Sequence, residues 1–358
     1  MKTLVNTNVF SIILLTVVLT LVSCNKKKKA TTVNTNTAIA AEITDIPTYR
    51  ESIVFIAGKD TPNSSFYKSA KTHFEEKQFE VITTAFSLQE IILWLNNNFD
   101  ERLYTDIHIV SKNNPWKGMG LETKINGEKV KQNTLRNEII NGNLPRLEKV
   151  ITEDSNIIFH ASSLSNNTDL VRDLKSTFST NISPKVTTTT YINVFGGQFS
   201  NHFLAKPYYG FYPTANSPGK VDLSKEFAKN YPNEKEVDWY TALTNENERF
   251  IGDSYTTQFN VPVKWELDYI DSDGEVPSFK SPEEIMDWID QNEEISKELA
   301  FYNIPIEKFR WKSVSTKNKL VIKGITTVLC VLKPLINPYG DLQHIEPEID
   351  NLRLYTVE

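Results

Sequence analysis

A lysine and a serine fifty positions apart, Lys112 and Ser162, each follow a short apolar run. Ile107-His108-Ile109-Val110 precedes the lysine and Ile157-Ile158-Phe159 precedes the serine. A serine hydroxyl becomes a nucleophile when a base takes its proton, and a lysine serves as that base where burial lowers its pKa. The neighbours Ser111, Asn113, Asn114, Ser163, Ser165, Asn166 and Asn167 suit an ordinary polar loop equally well. His160 is close enough in sequence to act on Ser162 or Ser163, but strand alternation turns it away from its immediate neighbour. His160 and His108 therefore read as packed or hydrogen-bonded strand histidines. His73 falls on a helix, and His202 and His344 fall in loop-like surroundings. No two histidines stand at a spacing such as H-x-x-x-H, so neither a metal nor another cofactor is expected.

These two segments need elements that bring their ends together. A short apolar run closed by small polar residues reads as a strand buried on both faces, with its tip at the carboxyl edge of a sheet. Other runs extend the pattern. Ser52 to Ala57 and Glu80 to Thr84 read as strands, and Phe66 to Phe79 as a helix carrying Phe66, Ala70, Phe74 and Phe79 near one face. Ser87 and Glu90 form a capping box ahead of Ile91, Ile92, Leu93 and Leu95. Leu135 to Ile140 and Asp169 to Phe178 follow as helices, and Val186 to Phe195 as a fifth strand. The alternation predicts an α/β domain over residues 51–195 with a mostly parallel, doubly wound sheet and flanking helices.

Order and spacing here resemble those of the caspase-like cysteine peptidases. That family carries its catalytic His just after one apolar strand, typically followed by Gly, and its catalytic Cys just after the next, typically preceded by Ala. In this chain Lys112 stands at the His position and Asn113 at the Gly. Ala161 is kept, and Ser162 stands at the Cys position. The resemblance implies a caspase-like fold with both members of its dyad replaced. A serine is a far weaker nucleophile than a thiolate, and a lysine is protonated near neutral pH unless buried. The expectation is thus a degenerate site retained for binding or scaffolding, with a serine hydrolase built on Ser162 and Lys112 as the rival.

Residues 196–358 are expected to form an α+β extension able to complete the same sheet. Gly196-Gly197 ends the fifth strand. Pro207 to Pro213 sets four aromatics between two prolines, a loop that either seals a core edge or, through Tyr208 and Tyr209, offers a binding face. Trp116, on the turn after Lys112, has the same two readings. A third view of the chain is a ligand-binding protein with this aromatic site. Asp222 to Tyr231 reads as a helix, Tyr255 to Ile270 as a strand, Asp271 to Gly274 as a turn, and Ser281-Pro282 as a helix start. Leu320 to Leu332 is taken as a hairpin or as a last strand of the main sheet, with Cys330 buried and inert inside it.

The start of the chain addresses a membrane. Lys2 and the apolar stretch Val9 to Val22 have signal-peptide anatomy. Leu21-Val22-Ser23-Cys24 resembles the lipobox of bacterial lipoproteins. That resemblance implies cleavage of residues 1–23 and acylation of Cys24, and several acyl chains anchor stably at about 0.8 kcal/mol per buried methylene. Asn25 in place of an aspartate leans towards the outer membrane, facing the periplasm. Lys26 to Lys29 suit anionic headgroups, and residues 24–50 read as a flexible tether. Among 358 residues, 39% are hydrophobic and 23% charged, with a net charge of -6, which disfavours a nucleic-acid surface. No phosphate-binding glycine motif is present. The expected partners are the bilayer and an unidentified protein, peptide or glycan.

Overall fold

The computed structural model describes residues 49–50, 52–100, 103–269 and 276–358. The signal peptide, the lipobox and nearly all of the tether lie outside them, as does the turn at Asp271 to Gly274. Residues 47–358 belong to one compact unit.

The chain is mixed α/β. Its first half runs β1 (Tyr49–Arg50), β2 (Ile53–Ile56), α1 (Phe66–Glu76), β3 (Glu80–Ile82), α2 (Leu88–Asn97), β4 (Leu103–Val110), β5 (Asn113–Asn114), β6 (Gly118–Met119), α3 (Gln132–Ile140), β7 (Ile151–His160), α4 (Thr168–Phe178) and β8 (Lys185–Thr188). The strands order as β14-β8-β7-β4-β2-β3, where β14 is Thr356–Val357 at the far end of the chain, and β1 also pairs with β4. All of these pairings are parallel except β14 with β8. Helix α1 buries Ala70 and Phe74 with Val54, Ile56 and Val110 on one sheet face. Helices α2 and α4 pack on Ile53, Phe55, Ile107 and Phe159 on the other. Strands read as continuous apolar runs because both faces are covered. Ser87 caps α2 by accepting the Glu90 N–H at 3.2 Å, while Glu90 Oε2 takes the Phe86 N–H at 2.9 Å and the Ser87 hydroxyl at 2.8 Å.

The second half builds its own antiparallel sheet. It comprises β9 (Ile192–Phe195), β10 (His202–Pro213), α5 (Lys220–Asn230), α6 (Trp239–Ala242), β11 (Tyr255–Asp268), α7 (Pro282–Gln291), α8 (Glu293–Phe301), β12 (Arg310–Ser315) and β13 (Lys319–Pro334). Strands order as β11-β13-β10-β9, with β12 also on β13.

Four expectations change here. Val186 to Phe195 is two strands in two sheets. The break falls at Thr189, just past the end of β8, where Oγ1 donates to Leu354 O at 2.7 Å and accepts the Tyr191 N–H at 3.2 Å. Pro207 to Pro213 is strand, since β9 pairs with β10 only over His202–Ala205 and leaves the prolines facing no donor-requiring neighbour on that edge. His202 opens that strand and is buried. Leu320 to Leu332 is the centre of the second sheet, not part of the first. Cys330 within it is 4% exposed, and burial pushes its thiol up to about 12. Of the second half, β14 alone among the described strands joins the parallel sheet.

Candidate functional site

The two strand ends are neighbours. Val110 on β4 pairs with His160 on β7, which sets Lys112 and Ser162 at the same level just beyond the last paired row. Asn113 Nδ2 donates to Ser162 O at 2.7 Å and ties the two loops. The side chains nevertheless turn to different partners. Lys112 Nζ donates to Ser64 Oγ and lies 3.7 Å from Asp60 Oδ1, both on the loop between β2 and α1. Its ammonium also sits over the rings of Phe66 and Tyr67, at 5.6 and 5.3 Å. Ser162, 7% exposed, accepts the Asn193 N–H from β9 at 3.2 Å. Lys112 is held by the loop after β2 and Ser162 by β9 of the second sheet, and no Ser162–Lys112 hydrogen bond forms among the described residues. Ser163 takes left-handed backbone with φ 56°, which turns the chain out of the sheet into the following turn.

Tyr67 organises the carboxyl edge beside β2. Its hydroxyl accepts the Lys112 N–H at 2.9 Å, and the ring lies against Gly58 and Gly120. A Cβ at Gly58 would stand 2.1 Å from the Tyr67 ring, and one at Gly120 would stand 2.4 Å from its hydroxyl oxygen. Only glycine allows that approach. The same two glycines, with Lys59, Phe86, Glu90, Glu122, Ile125 and Asn126, line an open cleft of about 340 Å³. Because α1 and α2 leave β2 and β3 on opposite faces, the chain reverses direction in the sheet between β2 and β4. Open α/β sheets take ligands at that reversal. Lys59 caps the Phe86 ring at 4.7 Å, and Glu90 is already committed to the α2 cap. Glu122 is thus the acidic lining residue not tied to that cap. Neither Lys112 nor Ser162 lines the cleft.

Beneath the strand ends lies a cluster that sequence spacing did not reveal. His73, His108, His160 and His202 converge among Phe74, Phe79 and Phe195. His108 Nδ1 and His160 Nε2 share a hydrogen bond at 2.9 Å, with their rings 10° from parallel. His202 Nε2 pairs with Asn193 Oδ1 at 3.1 Å and stacks on Phe195 at 4.1 Å. His160 Nδ1 and Asn193 Nδ2 are buried without partners. Burial lowers the pKa of each of the four, taking His108 to about 4 and holding His160 and His202 well below the usual value. The histidines come from α1, β4, β7 and β10, between 35 and 52 positions from the next in sequence, so no short motif announces them. The readable signal was the apolar run around His108 and His160, which fitted core residues. His108 Nδ1, His160 Nε2 and His202 Nε2 are spent on hydrogen bonds, and among the described residues no group of three His, Cys, Asp or Glu is disposed to hold a metal ion.

The aromatic candidates do not share a surface. Tyr208 and Tyr209 alternate across β10. Tyr208 is 2% exposed against Tyr231 and Trp239, in the core that α5 and α6 cover. Tyr209 faces the opposite side and meets Trp116 at 5.2 Å. Trp116 also contacts Phe211 and Phe259, and its Nε1–H donates to Tyr302 O at 2.8 Å. The hairpin after β4 is thereby bolted to the second sheet, and all three residues have the contacts of packing. No family model, no curated protein and no solved structure matches this chain.

Proposed function

We propose that this is a lipid-anchored cell-envelope protein whose caspase-like α/β portion binds a ligand and does not cut one at Lys112 and Ser162. The observation that carries the reading is the separate engagement of those two side chains at register-matched strand ends, Lys112 by Ser64 and Asp60, Ser162 by the Asn193 N–H. A working base and nucleophile sit within hydrogen-bond reach. Here both are occupied elsewhere, while the cleft beside β2 is open and mixed in charge. The ligand class that fits is a peptide or glycan segment presenting a cation to Glu122 and an acceptor to Lys59. The amino-terminal anchor holds this cleft at the bilayer.

Two measurements test this. Labelled palmitate is incorporated into the wild-type chain and not into Cys24→Ser, which also leaves the membrane fraction. Titration of peptides and oligosaccharides against isotope-labelled protein shifts the amide signals of Gly58 and Gly120 first. Hydrolysis that disappears in Ser162→Ala would end the non-catalytic reading.

A further inference from the structure

Outside the strand-end region, three side chains from three separate loops form a hydrogen-bonded chain. Ser200 lies on the turn between β9 and β10, Glu248 on the segment between α6 and β11, and His344 beyond β13, where it bridges Ile336. His344 Nε2 is 2.9 Å from Glu248 Oε1, and His344 Nδ1 is 2.6 Å from Ser200 Oγ. The His344 and Glu248 side chains are each 4% exposed. Phe203 stacks on the imidazole at 4.2 Å, and Gly252 N donates to Glu248 Oε1, so both groups are held in place. Glu248 Oε2 is buried without a hydrogen-bond partner. We infer that Ser200, His344 and Glu248 constitute an acyl-transfer centre acting on carboxylic esters.

The chemistry follows from who donates to whom. A carboxylate accepts, so the His344 Nε2–H donates to Glu248 and leaves a lone pair on Nδ1. The Ser200 hydroxyl donates to that lone pair. This is the base–nucleophile–orienter relation that recurs on unrelated folds and is recognised by geometry. Ser200 Oγ bonds to the ester carbonyl carbon as its proton passes to Nδ1. The imidazolium returns that proton to the departing alkoxide oxygen as the C–O bond breaks, leaving an acyl-serine. Water then repeats the sequence in reverse, giving the carboxylic acid and restoring the serine. Ser200 and His344 are the catalytic residues; Glu248 is a positioning residue that fixes the tautomer.

The surroundings favour this over a simple tie. A Glu–His pair alone would pin residues 336–345, yet the hydroxyl at 2.6 Å belongs to a half-exposed turn that substrate can reach. Gly196 at φ 80° shapes that turn. Among the described residues, no backbone acceptor takes the N–H groups of Gln198, Phe199 or Ser200, which leaves donors beside the nucleophile for a developing oxyanion. Phe199, 38% exposed, gives an apolar ester group a surface to lie on.

The test is labelling of the full chain with a fluorophosphonate, followed by peptide mapping, alongside turnover of p-nitrophenyl butyrate. The expected result is an adduct on Ser200 and hydrolysis above the blank, both lost in Ser200→Ala, whose melting temperature stays close to wild type. Glu248→Gln should keep the adduct on Ser200 but slow its formation by about 10²-fold or more, the loss expected when a general base is wrongly held. Absence of an adduct on Ser200 overturns the proposal, as does a Glu248→Gln rate equal to wild type. An adduct found on Ser162 instead would overturn this centre and the non-catalytic reading of the strand ends together, whereas no adduct anywhere overturns this centre alone.

Discussion

Acidification should unfold this protein in a window set by its buried histidines. His108, His160 and His202 are 6%, 3% and 7% exposed, and among the described residues no carboxylate is hydrogen-bonded to any of them. The charges that act on them are unfavourable: His160 feels the three other histidines, and His202 feels His73 and Lys77. At the edge of the cluster, Lys77 disfavours a charge on His73 while Glu76 and Glu346 favour it, and burial outweighs both carboxylates. Protonation would also put two N–H donors face to face across the 2.9 Å His108–His160 contact. The sign follows. These groups have folded pKa values below the unfolded 6.5, so the unfolded chain binds more protons, and the stability present above pH 6.5 is lost as pH falls towards about 4. Between pH 7.5 and 5.5 a histidine that stays neutral in the fold and titrates at 6.5 when unfolded contributes a loss of about 1.4 kcal/mol. Three such groups give about 4 kcal/mol, a large part of the 5–15 kcal/mol typical of a domain. Unfolded carboxylates titrate near 4, below this window. Urea unfolding of the chain from Pro47 onward, at pH 7.5 and 5.5, measures the difference directly. His108→Leu should reduce that difference by about 1.4 kcal/mol, whatever it does to stability at pH 7.5. A wild-type difference under about 1 kcal/mol, or one that His108→Leu leaves unchanged, would refute the reasoning.

Other substitutions separate packing from binding. Trp116→Ala removes contacts with three rings and leaves Tyr302 O without its donor, so urea unfolding should show a loss of about 3 kcal/mol. Gly58→Ala drives a methyl group into the Tyr67 ring and should cost about 1–3 kcal/mol, with an altered amide shift at Lys112, whose N–H the Tyr67 hydroxyl accepts. Cys330 should stay unreactive towards a maleimide in the folded protein at pH 7 and react fully in urea, since its thiol is buried with its pKa pushed up to about 12.

Local chemistry made much of the first half legible. The capping box at Ser87 and Glu90 sets the start of α2, and the apolar runs at Ile53, Ile107 and Ile157 are strands because each buries both faces. The neighbouring of Lys112 and Ser162 was readable too, since equal strand-end anatomy in consecutive parallel strands places loops side by side. The direction of their side chains was not. Lys112 answers to Asp60 and Ser64, and Ser162 to Asn193, residues up to 52 positions away that enter only through sheet order. The same limit explains the misread segments. The break falls at Thr189, where Leu354, 165 positions later, accepts the hydroxyl, and the prolines of β10 are tolerated because β9 stops at Ile192.

By itself the sequence determined the elements of the first half, their alternation and the burial of Cys330, because periodicity, caps and apolar runs act within a few residues of one another. Tertiary structure decided which sheet each late strand joined, and it gathered four histidines into one core and Ser200, Glu248 and His344 into one hydrogen-bonded chain. Those groupings depend on loop closures spanning tens to hundreds of residues, and hydrogen bonds between such distant groups exist only once the two sheets have formed.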